Sequence, residues 1–475
     1  MNVAFCAAEV FPLAKTGGLG DVCGALPVAL RRMGVNAHVF LPHYRCVDES
    51  GFEIKKINKF FSATQLADGT EVCLIEGEKY FNRSNLYGTT DGEYKDNLDR
   101  FRFFCHQILD YLRQQKSKVD IVHCHDWHTA LIPVYLKEIS FKEGWFPKPK
   151  TVLTVHNLAY QGIYVNDKFQ KLGLQSSLFN PQVFEFYGKL NLLKAGLIYS
   201  DEVTTVSPQY ARDILTKEFG CGLEGVLRER RNKVIGIING VDYEIWDPKI
   251  DSFLYKRYTP HNWKTAKSFN KIHLQRKLRL KENCDVPLLG FIGRLFHQKG
   301  IGLILEALKE MLTYDLQLVI QGVGDKDYVK QLKQVALENK NQLVICDKFD
   351  EQLAHQIYAG ADLFLMPSAF EPCGLSQMIS LKYGTVPIVF KTGGLIDTIV
   401  AFNSGTLSGN GFVFQEYSVT AFLEAVRKAI KVYQNKDLFD RLVDNGFHSD
   451  FSWDRSAIKY VEIYKKIVDE RKCYI

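Results

Sequence analysis

The chain reads as an α/β protein with two doubly wound domains. Three observations lead there. Short apolar runs alternate with helical patterns along nearly all 475 residues, the pattern of parallel sheets covered by helices. The runs fall into two series, divided by an aromatic stretch past the middle. Glycine-rich turns carrying cations sit at both ends: Lys15-Thr16-Gly17-Gly18-Leu19-Gly20-Asp21 near the start, then Gly293-Arg294-Leu295-Phe296-His297-Gln298-Lys299-Gly300 and Glu371-Pro372-Cys373-Gly374-Leu375.

The first series places strands at Val3–Ala7, Ala37–Leu41, Ile121–Cys124, Thr151–Val155, Glu202–Val206 and Val234–Ile238. The second places them at Pro287–Ile292, Gln317–Gln321, Gln342–Cys346, Leu363–Met366 and Pro387–Phe390. β-Branched residues and flanking turns separate these runs from buried helices. The expected division is a first domain over 1–243, a connection over 244–265, a second domain over 266–455 and a final helix over 456–475. The connection is aromatic (Trp246, Phe253, Tyr255, Tyr258, Trp263) rather than Gly/Ser-rich, so a packed segment is expected. In the last segment Ala457, Tyr460, Val461, Tyr464, Ile467 and Val468 share one helical face.

A hydrophobic fraction of 46% and a charged fraction of 24% are ordinary for a globular protein. The net charge of +6 suits an anionic small substrate, and no basic tract with interleaved aromatics points to nucleic acid. Eleven cysteines without paired spacing point to a reducing compartment. No apolar run approaches the roughly 18 residues of a membrane span, and Asn2 to Ala8 reads as a core strand rather than a leader.

A strand, a glycine turn and a helix start together aim N–H groups and a helix dipole at an anion. Lys15 beside Gly17 and Gly18, and Arg294 with Lys299, fit a diphosphate, as Arg grips two oxygens and Lys acts as a point charge. A plain βα turn with surface cations is the duller alternative. These parts lie too far apart in sequence for one small domain, so a nucleotide between two domains is expected. Neither a dinucleotide fingerprint nor a P-loop is present. Thr392-Gly393-Gly394 repeats the turn chemistry. Glu371 stands before a helix, placed for sugar hydroxyls or simply for the helix dipole. Cys373 reads as packing rather than as a nucleophile. The run His123-Cys124-His125-Asp126-Trp127-His128 suggests a metal site, but neighbours on a strand face opposite ways. No metal is expected, and Asp126 and His156 read as polar strand ends facing a cleft.

Together these segments resemble the bacterial glycogen synthase and plant starch synthase family, glycosyltransferase family 5. The resemblance covers the whole chain through Lys15-Thr-Gly-Gly-Leu, His123-Cys-His-Asp-Trp-His, Thr154-Val-His-Asn-Leu, Asn239-Gly-Val-Asp, Gly293-Arg-Leu, Gln298-Lys-Gly, Glu371-Pro-Cys-Gly-Leu and Thr392-Gly-Gly-Leu. It implies a GT-B fold, two Rossmann-like domains with the active site between them, and a final helix packing back on the first domain. It implies that Lys15, Gly17 and Gly18 hold the donor diphosphate from one side. Arg294, Lys299, Thr392 and Gly393 would hold it from the other. Asn239, Cys373, Gly374 and Leu375 fall among the donor-binding positions. His156 would meet the donor glucose through its carbonyl, Asp126 would lie where the sugars meet, and Glu371 would bind glucose hydroxyls. Phe349 stands where relatives place a Tyr that stacks on the nucleobase.

The implied reaction moves glucose from ADP-glucose to the non-reducing end of an α-1,4-glucan, with retention and without metal or other cofactor. Cationic groups would stabilise charge gathering on the leaving diphosphate, and a front-face displacement is preferred to a covalent intermediate. Glycogen, starch or a maltooligosaccharide is the expected partner, with neither nucleic acid nor membrane. The expected location is the cytoplasm, or the plastid stroma for a trimmed N-terminus. Another retaining GT-B enzyme, UDP-sugar dependent or sucrose-synthase-like, and a non-catalytic glucan-binding relative are the alternatives. A nicotinamide oxidoreductase is disfavoured.

Overall fold

The computed structural model describes residues 1–47, 49–89, 92–114, 119–140 and 149–472, with side chains to 469. The chain divides into two compact units, Met1–Gly240 with Trp453–Ile475, and Val241–Ser452.

The first unit is built on a nine-stranded sheet. Its order is Val234–Gly236, Glu202–Thr205, Lys150–Val155, Ile121–His125, Asn2–Cys6, Asn36–Pro42, Glu71–Ile75, Phe61–Gln65 and Lys55–Lys56. Seven of these run parallel, from Val234–Gly236 to Glu71–Ile75, and the last two add on antiparallel. The parallel strands are apolar on both faces because helices cover both: Val3, Phe5, Val122, Cys124, Val152 and Leu153 are all buried. The strand Glu71–Ile75 and the antiparallel edge over 55–65 were not anticipated, nor was a three-stranded sheet of Ile163–Val165, Lys189–Asn191 and Glu185–Phe186.

The helix Trp453–Lys472 belongs to this unit and packs on Gly18–Arg32. Its polar ties are specific. Tyr464 Oη meets His123 Nδ1 at 2.6 Å, Ser456 Oγ donates to the Ile238 carbonyl at 2.6 Å, and Lys466 reaches Glu202 at 3.1 Å.

The second unit carries a six-stranded, all-parallel sheet. Its order is Leu343–Cys346, Gln317–Gln321, Leu288–Ile292, Leu363–Met366, Val386–Phe390 and Phe412–Phe414. In chain order that is third, second, first, fourth, fifth, sixth, the arrangement of a Rossmann sheet. Leu274, Leu280, Leu288, Val319, Leu353, Ile357 and Ala361 form a core on one face. All eleven strands read from the sequence are present, each with ends within two residues of those read. Phe412–Phe414, only three residues long, was missed.

The stretch 244–265 is not a separate connection, as it lies wholly within the second unit. Trp246 stacks on His355 at 4.0 Å and 8°. Asp251 accepts hydrogen bonds from His355 Nδ1 at 2.7 Å and Tyr383 Oη at 2.5 Å. Burial alone would raise the Asp251 pKa, but these bonds hold its carboxyl below the usual range. The chain passes between units at Gly240/Val241 and Ser452/Trp453 instead.

Candidate active site

Ligands of doubly wound sheets bind where the strand order reverses, beyond the carboxyl ends. In the second unit that switch point lies between Leu288–Ile292 and Leu363–Met366. The first strand leads into Gly293 and Arg294, the second into the segment ending at Glu371. The two loops are knitted together. Ala369 N donates to the Gln298 carbonyl at 2.9 Å, and Gln298 Nε2 to the Phe370 carbonyl at 3.1 Å. Gly300 has φ +79°, and a Cβ there would lie 2.1 Å from the Pro367 carbonyl oxygen. Only glycine fits this approach.

The result is an ion pair between Lys299 Nζ and Glu371 Oε2, with Ser368 Oγ donating to the same carboxylate oxygen at 3.2 Å. Glu371 is buried. The third glycine turn closes over it: Gly394 N donates to the Glu371 carbonyl at 3.0 Å. Gly393 has φ +44°, and a Cβ there would fall 2.0 Å from the same oxygen. Thr392 is buried at the start of the helix Gly393–Thr398. Cys373 is buried, and its carbonyl and that of Gly374 accept from Gln377 Nε2 at 3.0 and 3.1 Å. Leu375 precedes the helix Ser376–Lys382. Lys299, Glu371, Thr392, Gly393, Cys373, Gly374 and Leu375 are thus drawn together. Arg294 is exposed beside them. Phe349, 67% exposed, lies two strands away, past the end of Leu343–Cys346.

In the first unit the order reverses between Asn2–Cys6 and Ile121–His125. Asp126 follows the second strand in a left-handed conformation, φ +54°, that costs free energy for a non-glycine residue. Its Oδ1 accepts from His156 N, at the end of the neighbouring strand, at 2.7 Å. Burial pushes the Asp126 pKa up to about 7. The His156 N–H opposes that shift, and the nearby charge of Glu9 adds to it. His156 Nε2 meets His125 Nδ1 at 2.9 Å, and burial lowers the His156 pKa to about 3, so the ring is neutral.

Lys15, Gly17 and Gly18 are exposed, and a Cβ at either glycine would meet nothing within 4 Å. Lys15 Nζ reaches Asp21 at 2.6 Å. One finding was missed from sequence: Glu9 accepts from Thr16 N at 2.7 Å and Gly17 N at 3.2 Å. At least part of the turn's amide donor set is therefore already engaged. The signal was an acid inside the apolar run Ala7-Ala8-Glu9-Val10. Asn239 is buried beyond Val234–Gly236, and its Oδ1 has no hydrogen-bond partner among the described residues. An orphaned buried acceptor of this kind calls for an explanation.

Cys23, His125 and His156 each bring one potential ligand atom within 4.8 Å of the others. Burial raises the Cys23 thiol pKa well above its ordinary value, and the two histidines hydrogen-bond each other. A metal ion there would need the Cys23 thiol deprotonated and the bond between the two imidazoles broken.

Residues 2–229 match the family described as starch synthase catalytic domain, and residues 275–447 match glycosyl transferases group 1. A glycogen synthase of Geotalea daltonii is 43% identical, across 99% of this chain and 100% of the relative. Glycogen synthase 2 of Geobacter sulfurreducens is 41% identical over the same shares. The catalytic domain of starch synthase IV from Arabidopsis thaliana, solved bound to ADP and acarbose, superposes with a TM-score of 0.91 at 34% identity. That match covers 98% of this chain and 99% of the plant domain. Sucrose-phosphate synthase from Thermosynechococcus elongatus, at TM-score 0.62 and 15% identity, shares the fold. The two Rossmann-like units, the two family matches and the end-to-end identity agree, and the chain belongs to the glycogen/starch synthase family of GT-B glycosyltransferases.

Proposed function

We propose that the protein transfers glucose from ADP-glucose to the non-reducing end of an α-1,4-glucan, with retention at the anomeric carbon. The observation that carries this is the starch synthase IV domain bound to ADP and acarbose, matched over 98% of the chain. The identity to glycogen synthases at 41–43% supports it.

In this reading Lys15, Arg294 and Lys299 stabilise charge on the leaving diphosphate, and Thr392 and Gly393 add donors. Glu371 and the His156 carbonyl orient the donor glucose, while Asp126 lies beside the reacting sugars. Phe349 stacks on the base. Asn239 and Cys373 to Leu375 line the donor. The C1–O bond to the β-phosphate breaks with its electron pair leaving on ADP. The acceptor O4 bonds C1 from the same face, and its proton passes to a phosphate oxygen. Fixed cations supply the electrostatic stabilisation, so the reaction proceeds without a metal.

Initial rates on a maltooligosaccharide primer test the reading. ADP-glucose should be used in preference to UDP-glucose, the product should be cut by an α-1,4-specific hydrolase, and the rate should survive exhaustive chelation. Absence of transfer from ADP-glucose would refute it. A rate restored only by added divalent metal would refute the metal-free step.

A further inference from the structure

We propose that Glu9 is the positioning residue of the Lys15 turn, and that its carboxylate, rather than a bound phosphate, fills the Thr16 and Gly17 amide groups. This deepens the transfer reading and rests on it for the role of Lys15.

Glu9 is 3% exposed, yet its hydrogen-bond partners among the described residues are all neutral donors. Oε2 accepts from Thr16 N at 2.7 Å and Gly17 N at 3.2 Å. Oε1 accepts from Thr16 Oγ1 at 2.8 Å and Tyr87 Oη at 2.7 Å. These four bonds match the roughly four lone-pair sites of a carboxylate.

The far side of this clamp is held independently of the turn. Arg100, fully buried, donates from Nη1 to the Leu86 carbonyl at 2.8 Å and from Nε to the Tyr80 carbonyl at 2.7 Å. Asn97 Nδ2 donates to the Tyr87 carbonyl at 2.9 Å. The Tyr87 ring stacks on His128 at 4.8 Å. Burial, and then the Glu9 charge, raise the Tyr87 pKa well above its ordinary value, so the phenol remains a donor. Tyr87 is therefore a fixed post, and Glu9 ties the glycine turn to it.

The near side is equally close. A Cβ at Gly20 would lie 3.0 Å from Lys15 Cβ and 3.3 Å from Glu9 Oε2. A diphosphate seeking the Thr16 and Gly17 amides would meet a carboxylate of like charge. What the turn offers an anion is Lys15, carried on a backbone that Glu9 fixes, beside the open surface of Gly17 and Gly18.

Glu9→Gln keeps the volume, loses the charge and replaces one acceptor oxygen with an NH2 group. Three readouts in the full chain test the proposal. Amide hydrogen exchange at Thr16 and Gly17 should quicken in Glu9→Gln, and less so in Tyr87→Phe, with the rest of the chain unchanged. The kcat of Glu9→Gln should fall about 10- to 100-fold, with acceptor KM nearly constant. Glu9→Gln/Lys15→Ala should be no slower than Lys15→Ala alone, within about twofold. Unchanged exchange, or losses that multiply in the double variant, would overturn the proposal. A wild-type protein without transfer activity would refute the proposed function alone, and the exchange readout would still decide whether Glu9 fixes the turn.

Discussion

Lys299 and Glu371 form an ion pair at the switch point of the second unit, with side chains 22% and 8% exposed. In the proposed reaction these residues have different ligands, the diphosphate and the glucose hydroxyls. Before a donor arrives they satisfy each other. The pairing is unequal, because Lys299 keeps a route to solvent, whereas among the described residues the Glu371 carboxylate has only Ser368 besides.

Lys299→Ala should therefore cost more stability than Glu371→Gln, by about 1–3 kcal/mol, since it leaves a buried charge uncompensated. Both should lower turnover strongly. Thermal melts and rates per folded molecule separate the two effects. Equal melting temperatures for the variants would mean that the pair does not hold the loops together.

Arg294→Ala should behave differently. Arg294 is exposed, so removing it should leave the melting temperature within about a degree or two of wild type. If Arg294 stabilises the leaving diphosphate, kcat should still fall about 10²- to 10³-fold. A near-normal rate would assign Arg294 to the solvated surface.

Asp126 gives a pH signature. Its pKa in the folded protein is about 7, against an ordinary 3.8. Between those values the folded state holds a proton that the unfolded state has lost, so this group's contribution to stability declines as pH rises. Asp126→Asn cannot titrate. The melting temperature of the variant relative to wild type should therefore climb from pH 4 to pH 7 and level off above. A constant difference across that range would show that Asp126 is ionised throughout.

The parallel sheets were legible because their strands are buried on both faces and read as continuous apolar runs, Leu363-Phe364-Leu365-Met366 being the clearest. The antiparallel strand Phe61–Gln65 mixes Ser, Thr and Gln with its apolar residues, so its pattern gave little signal. The switch-point loops were legible through their glycines, and Gly300 and Gly393 do sit where any side chain would collide with backbone. The pairing of Lys299 with Glu371 was not, because 72 residues separate them and only the sheet order brings their loops together. Glu9 was overlooked for a related reason. A single acid in an apolar run gives no periodic signal, and its fourth donor, Tyr87, lies 78 residues away. The aromatic stretch over 244–265 misled in the opposite direction: aromatic content marked packing correctly, but Trp246 and Asp251 pack within one unit.

Phe349 offers a test of base recognition that leaves the chemistry untouched. Phe349 is 67% exposed, while the backbone beside it is held by two hydrogen bonds. The next carbonyl, of Asp350, accepts from the buried Gln321 Nε2 at 2.5 Å. The Asp350 side chain caps the helix Glu351–Gly360 through Leu353 N at 2.9 Å. An exposed ring on so constrained a backbone suits stacking on a nucleobase, which contributes about 1–3 kcal/mol per base. Phe349→Ala should then raise the KM for ADP-glucose about ten- to a hundredfold with kcat nearly unchanged, because the contact is the same in ground and transition states. Phe349→Tyr keeps the stacking face and should stay close to wild type. If Phe349→Ala keeps its KM for ADP-glucose, the base lies elsewhere and the ring has no part in donor binding.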